Sequence, residues 1–113
     1  MVYGDGTSTR DFVFVEDVIQ ANLRAAISEK SDGEVINIAH GKTINIGTLA
    51  EMIIEITGSQ SSVVYKSPRE RDIVHSAADL EKAKVLLSYE PQIDLKSGLS
   101  KTIDYFKQSV SNI

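Results

Sequence analysis

The residues best suited to do chemistry in this chain are arginines. Arg10 follows a stretch rich in glycine and threonine, while Arg69 and Arg71 lie between Lys66 and Ser76, a run that carries charge without amphipathic period. A guanidinium offers a fixed fork of donors matching phosphate oxygens, so loop arginines converging on one space would suit a diphosphate. The plainer reading makes them surface charges, with Arg10 paired to its neighbour Asp11. Gly4-Asp5-Gly6 invites a phosphate-cradling loop, but that fingerprint needs a preceding strand, a third glycine and a helix opening directly after it. A strand is expected to follow instead, so a turn is the reading. His40 and His75 are far apart with no carboxylate at ligand spacing, which argues for solvated or hydrogen-bonded side chains rather than a metal site. Asp17, Asp79 and Asp94 each stand at a predicted helix start, where capping accounts for them. Ser8 and Ser76 have no evident base. Residue types alone assemble no catalyst.

The elements that must position these groups come from one ordinary globular chain of 113 residues, 42% hydrophobic and 25% charged. That length predicts one domain burying roughly 60–70% of its unfolded surface. With no cysteine, disulfide scaffolds, thiolate metal sites and cysteine nucleophiles are excluded. A net charge of -4 disfavours a dedicated nucleic-acid binder. No apolar run approaches the roughly 18 residues of a membrane span, and the opening residues lack a signal-peptide pattern, so a cytoplasmic protein is expected.

Hydrophobic period predicts strands over Asp11–Val15, Glu34–Ile38 and Ser62–Tyr65, rich in β-branched and aromatic residues. A helix starts at Glu16 and frays near Ser28, with Val18, Ala21, Ala25 and Ala26 on one small-residue face. A second is capped by Asn45, runs through Ile46, Leu49, Ala50, Ile53 and Ile54, and stops at Gly58. Asp79 can cap a short helix reaching Leu87, and Asp94 a last one through Leu95, Leu99 and Phe106. Strands alternating with helices imply an α/β fold: a small, narrow, mostly parallel sheet of short strands with packed helices.

The order of the residues adds a likeness. Val2-Tyr3-Gly4-Asp5-Gly6 and Thr9-Arg10-Asp11-Phe12-Val13-Phe14-Val15-Glu16-Asp17-Val18 resemble the block opening the C-terminal region of nucleotide-sugar epimerases and dehydratases. These are extended short-chain dehydrogenase/reductases of the UDP-glucose 4-epimerase type. The resemblance continues through Val35 to Ile38, the Asn45-capped helix, Arg69 to Asp72, Ala78 to Ala83, Leu86 to Pro91 and Gly98-Leu99, spanning nearly the whole chain.

The resemblance implies the substrate-binding part, residues 1–113, of a Rossmann-type enzyme whose cofactor domain is absent from this chain. The glycine-rich nucleotide loop is missing, as is a tyrosine followed four residues later by lysine. A truncated product or an excised piece is therefore expected, inactive alone, with NAD held only in the full-length enzyme. By the same likeness Tyr3 lies beside the base, Arg10 and Arg69 contact the diphosphate, Asp72 approaches the ribose, and Ser76 takes a position where a tyrosine often faces the substrate. The ligand implied is a nucleotide-diphosphate sugar, a UDP-sugar first, bound weakly by the chain alone. An epimerase leads; a dehydratase, a decarboxylase or a stand-alone regulatory module are the alternatives. The chain departs from the family pattern at Glu70-Arg71, which replaces a usual Pro-Gly or similar small pair and lets Arg71 compete for the phosphate. Ser8, Ala39 and Ser88 stand where glutamine, glycine and a helix-ending glycine are usual. Surface left bare by the missing domain should favour self-association.

Overall fold

In the computed structural model, which describes residues 1–111, Asn45 and Gly58 bracket the helix that the sequence marks most clearly. This helix, α2, runs Ile46–Thr57; the Asn45 side chain accepts the Thr48 N–H at 2.7 Å, and Gly58 closes the other end at φ 64°. Both devices satisfy backbone groups that a helix cannot satisfy within itself. Before it come β1 (Val2–Tyr3), β2 (Thr9–Asp11), α1 (Val15–Ile27), a 3-10 turn (Glu29–Ser31) and β3 (Thr43–Asn45). After it come β4 (Tyr65–Lys66), α3 (Glu81–Leu87) and α4 (Leu95–Ser111).

The fold is a small α/β arrangement with a short parallel sheet and four helices. β1 and β4 pair in parallel, Val2 opposite Tyr65 and Tyr3 opposite Lys66. β2 and β3 form a separate antiparallel ribbon with Arg10 opposite Ile44, so the strand layer is divided in two. Residues 74–76 lie along the other edge of β2: the Thr9 N–H donates to the Val74 carbonyl at 2.8 Å, and the Ser76 N–H donates to the Thr9 carbonyl at 3.1 Å.

Two of the expected strands are displaced and one is absent. Of Asp11–Val15 only Asp11 is in a strand, because Phe14 is already the extended residue before α1. Tyr65 is the only residue of Ser62–Tyr65 in a strand, although Val64 accepts the Val2 N–H at 2.7 Å. Glu34–Ile38 forms no ladder. Ile36 and Ile38 pack on the core without a strand beside them, and Val35, 84% exposed, gives its carbonyl to Lys82 Nζ. Period reports which face is buried; it cannot supply a neighbouring strand.

The core is a cluster of Ala21, Ala39, Leu80, Ala83, Leu87 and Tyr89. It is too small for the chain. The accessible surface is 8209 Å², against about 6,100 Å² for a folded monomer of this mass, and just over half of the unfolded surface is buried rather than 60–70%. The radius of gyration, 16.8 Å, likewise exceeds the roughly 13 Å of a compact chain of this length. Of the small face expected on α1 only Ala21 is fully buried; Ala25 and Ala26 are exposed. The helix instead shows solvent a ridge of Val15, Ile19, Leu23 and Ile27, one residue per turn. Among the described residues no helix is long and apolar enough to cross a membrane.

Candidate functional site

The loop between β1 and β2 is a tight turn, as its composition demands. Gly4 and Gly6 hold φ of 88° and 83°. A Cβ on Gly6 would come within 3.0 Å of the Tyr65 ring and 3.2 Å of Gly47 Cα, so a backbone-to-backbone contact here requires glycine. Between the glycines, Asp5 Oδ1 accepts the Thr7 hydroxyl at 2.6 Å and the Thr7 N–H at 3.0 Å. These bonds, the hydroxyl first, hold the Asp5 carboxyl below its ordinary value. β2 follows the loop, so the helix N-terminus that a dinucleotide cradle uses is missing and the residues present do not fit the pyrophosphate of NAD.

Residues 69–72 make the facing turn. The Asp72 N–H donates to the Arg69 carbonyl at 3.3 Å, and Arg71 sits at φ 60°. This is the pattern of a type II turn, whose second and third positions suit proline and glycine. Here they are Glu70 and Arg71.

The pairing of β1 with β4 and of β2 with residues 74–76 brings both turns to one open cavity of about 670 Å³, walled by Tyr3, Asp5, Tyr65, Pro68, Arg69 and Asp72 among others. The guanidinium carbon of Arg69 lies 4.0 Å from the centre of the Tyr3 ring, a cation–π contact. Arg71 is not on the wall, so the turn sends Arg69 inward. Arg10 is not on the wall either. Its Nη1 donates to the carbonyls of Thr9 (2.8 Å) and Val74 (3.4 Å), and its Nη2 meets Asp72 Oδ1 at 3.3 Å. The ion pair with Asp72 places Arg10 at the rim. Ser76 stays at the β2 edge through its backbone, and its side chain does not reach the cavity.

The structure thus gathers Tyr3, Arg69 and Asp72, sets Arg10 beside them, and leaves Ser76 outside. Tyr65 and Asp5 share the wall without having been singled out. The signal for Tyr65 was its place in a short β run that parallels β1; the signal for Asp5 was its turn between two glycines.

Two other aspartates have work that the sequence hides. Asp11 does not pair with Arg10: its carboxylate accepts the N–H groups of His40 at 2.8 Å and Gly41 at 2.7 Å. Asp17 is 2% exposed and accepts the N–H groups of Gln92 (2.9 Å) and Ile93 (3.1 Å), so it ties a remote segment to α1 rather than capping it. Tyr89 donates its hydroxyl to the Ala39 carbonyl at 2.8 Å. Burial, and then the charges of Asp17 and Asp11, push its phenol pKa up. His75 is held by the Thr9 hydroxyl at 2.9 Å. No cluster of three His, Asp or Glu side chains suited to a metal stands among the described residues.

One arginine, two acids and two tyrosines thus line this cavity, with Arg10 at its rim, and the fold that holds them is one found in nucleotide-sugar epimerases. The chain belongs to the GDP-mannose 4,6 dehydratase family, whose model it matches over residues 1–102. It is 36% identical over 109 residues to a putative UDP-glucose 4-epimerase of Methanocaldococcus jannaschii, covering 96% of this chain and 34% of that protein. The structure of Thermotoga maritima UDP-glucose 4-epimerase with UDP-glucose superposes with a TM-score of 0.88 at 40% identity, covering 96% of this chain and 35% of that one. The Bacillus cereus UDP-glucuronic acid 4-epimerase in complex with UDP-glucuronic acid and NAD gives 0.87 at 34%, with 96% and 35% covered. The chain spans about a third of the length of these relatives.

Proposed function

We propose that residues 1–113 are the nucleotide-sugar-binding part of an epimerase of the UDP-glucose 4-epimerase type, working with a Rossmann domain that carries NAD and the catalytic tyrosine. The observation that carries this reading is the meeting of Tyr3, Arg69 and Asp72 in one cavity, with Arg10 at its rim. Arg69 takes the diphosphate, Asp72 approaches the ribose, and Arg10 keeps Asp72 in place until a phosphate competes for its free N–H groups. The task is positioning, holding the sugar where hydride and proton are exchanged. NAD supplies the redox chemistry in the whole enzyme, and this chain alone is inactive. The bare ridge on α1 is the surface that the remainder of such an enzyme would cover; left open, it favours self-association. The setting is the cytoplasm, which cell fractionation of the tagged protein tests. A dehydratase is the second reading, favoured by the family model matched.

Two charge-assisted arginine contacts contribute about 3–6 kcal/mol, and association costs an estimated 4–15 kcal/mol. The isolated chain should therefore bind UDP-glucose at millimolar concentration or above. An NMR titration should move the resonances of Tyr3, Arg69 and Asp72, and Arg69→Ala should weaken the binding that moves them. Micromolar binding, or shifts confined to residues away from this cavity, would overturn the reading. In a full-length relative, replacing the arginine that matches Arg10 or Arg69 should weaken nucleotide-sugar binding and spare NAD binding.

A further inference from the structure

The Tyr3 ring has two claims on it. The likeness implies a base beside it, yet the structure sets the Arg69 guanidinium 4.0 Å above its centre. Tyr3 is 40% exposed and belongs to β1, where it is flanked by two backbone bonds of 2.7 Å, from the Val2 N–H to the Val64 carbonyl and from the Gly4 N–H to the Lys66 carbonyl. Arg69, by contrast, springs from a turn with a non-glycine residue at positive φ, and its guanidinium has no carboxylate partner among the described ion pairs. The rigid element therefore carries the ring and the less regular one carries the charge. A long side chain that must wait for an anion loses affinity to its own rotamer freedom unless something holds it. The face of an aromatic ring does this without consuming an N–H donor, so the fork stays free for phosphate oxygens.

From this juxtaposition we infer that Tyr3 is a positioning residue for Arg69: the ring is the platform that holds the guanidinium toward the cavity, and it serves the diphosphate rather than the base. The inference rests on the nucleotide-sugar reading above, but its first consequence needs no ligand. In the free chain the Arg69 side-chain protons should show an upfield ring-current shift, present in Tyr3→Phe and lost in Tyr3→Leu. Their absence in the unaltered chain would overturn the platform whatever the ligand. Their presence in a chain that binds neither UDP nor pyrophosphate would instead sink the nucleotide-sugar reading while the platform stood.

The second consequence separates phosphate from base. Inorganic pyrophosphate has no base, so a stacking role for Tyr3 cannot affect it. Tyr3→Leu should raise the Kd of UDP and of pyrophosphate by the same factor, about two- to fivefold, with Tyr3→Phe restoring both. It should have no effect once Arg69 is alanine. Tyr105→Leu, which removes an exposed ring on α4 outside this cavity, should leave pyrophosphate unchanged. Should Tyr3→Leu weaken UDP alone, the ring serves the base and the inference fails.

Discussion

Replacing Ser88 with glycine should stabilise this fold, and by an amount that its backbone sets. Ser88 follows α3 at φ 51°, ψ 35°, in the left-handed region, while its N–H donates to the Lys84 carbonyl at 3.0 Å and that of Tyr89 to Ala83 at 3.2 Å. A side chain there costs about 1–2 kcal/mol from Cβ crowding. Glycine removes that cost but adds freedom to the unfolded chain worth about 0.4–1 kcal/mol. The difference is roughly 0.5–1 kcal/mol in favour of Ser88→Gly, because the exposed hydroxyl makes no hydrogen bond that would be lost. For a small domain with a urea m-value of about 1 kcal/mol/M, the unfolding midpoint should rise by about 0.5–1 M. Ser88→Ala is the control: it removes the hydroxyl, keeps the Cβ, and should move the midpoint little. A midpoint for Ser88→Gly at or below that of the unaltered chain would refute the strain argument.

Arg71→Gly relieves the same kind of conformation, at φ 60°, and should add about 0.5–1 kcal/mol by urea unfolding without changing UDP affinity, since Arg71 is off the cavity wall. Asp17→Ala leaves two N–H groups without an acceptor and should cost about 2–3 kcal/mol in the same assay, with Asp17→Asn recovering part of it. Asp94 caps α4 by accepting the Ser97 N–H at 2.7 Å, and that bond, first among its causes, holds its carboxyl below the ordinary 3.8. A depressed carboxyl stabilises fully above the ordinary value and less as pH falls through the folded one. Helicity followed by circular dichroism should therefore drop below about pH 3.8 more steeply than in Asp94→Asn.

What could be read from the sequence was what local groups decide. Asn45 and Gly58 fix both ends of α2 by bonds within three or four residues, and Asp94 starts α4 in the same way. Strands of two or three residues depend on partners elsewhere in the chain, so Glu34–Ile38 had the right composition and no ladder. At the site, the type and loop setting of Arg69 were legible, and the family likeness supplied Tyr3 and Asp72. That all three share one cavity follows from β1 meeting β4, a pairing across some sixty residues that no local pattern announces. That Arg69 and not Arg71 lines the cavity is a property of one turn, and the commitment of Arg10 to Asp72 and two carbonyls is a property of the fold around it.

The carboxylates of Asp11 and Asp17 fasten partners 29 to 76 residues away along the chain. Contacts of such reach can close only after most of the polypeptide has gathered, and they slow the approach to the native state. α2, sealed by its own caps, owes nothing to that wait. Assembly should thus be ordered in time, with local helices forming early and the two acids locking the last segments once the topology is nearly complete.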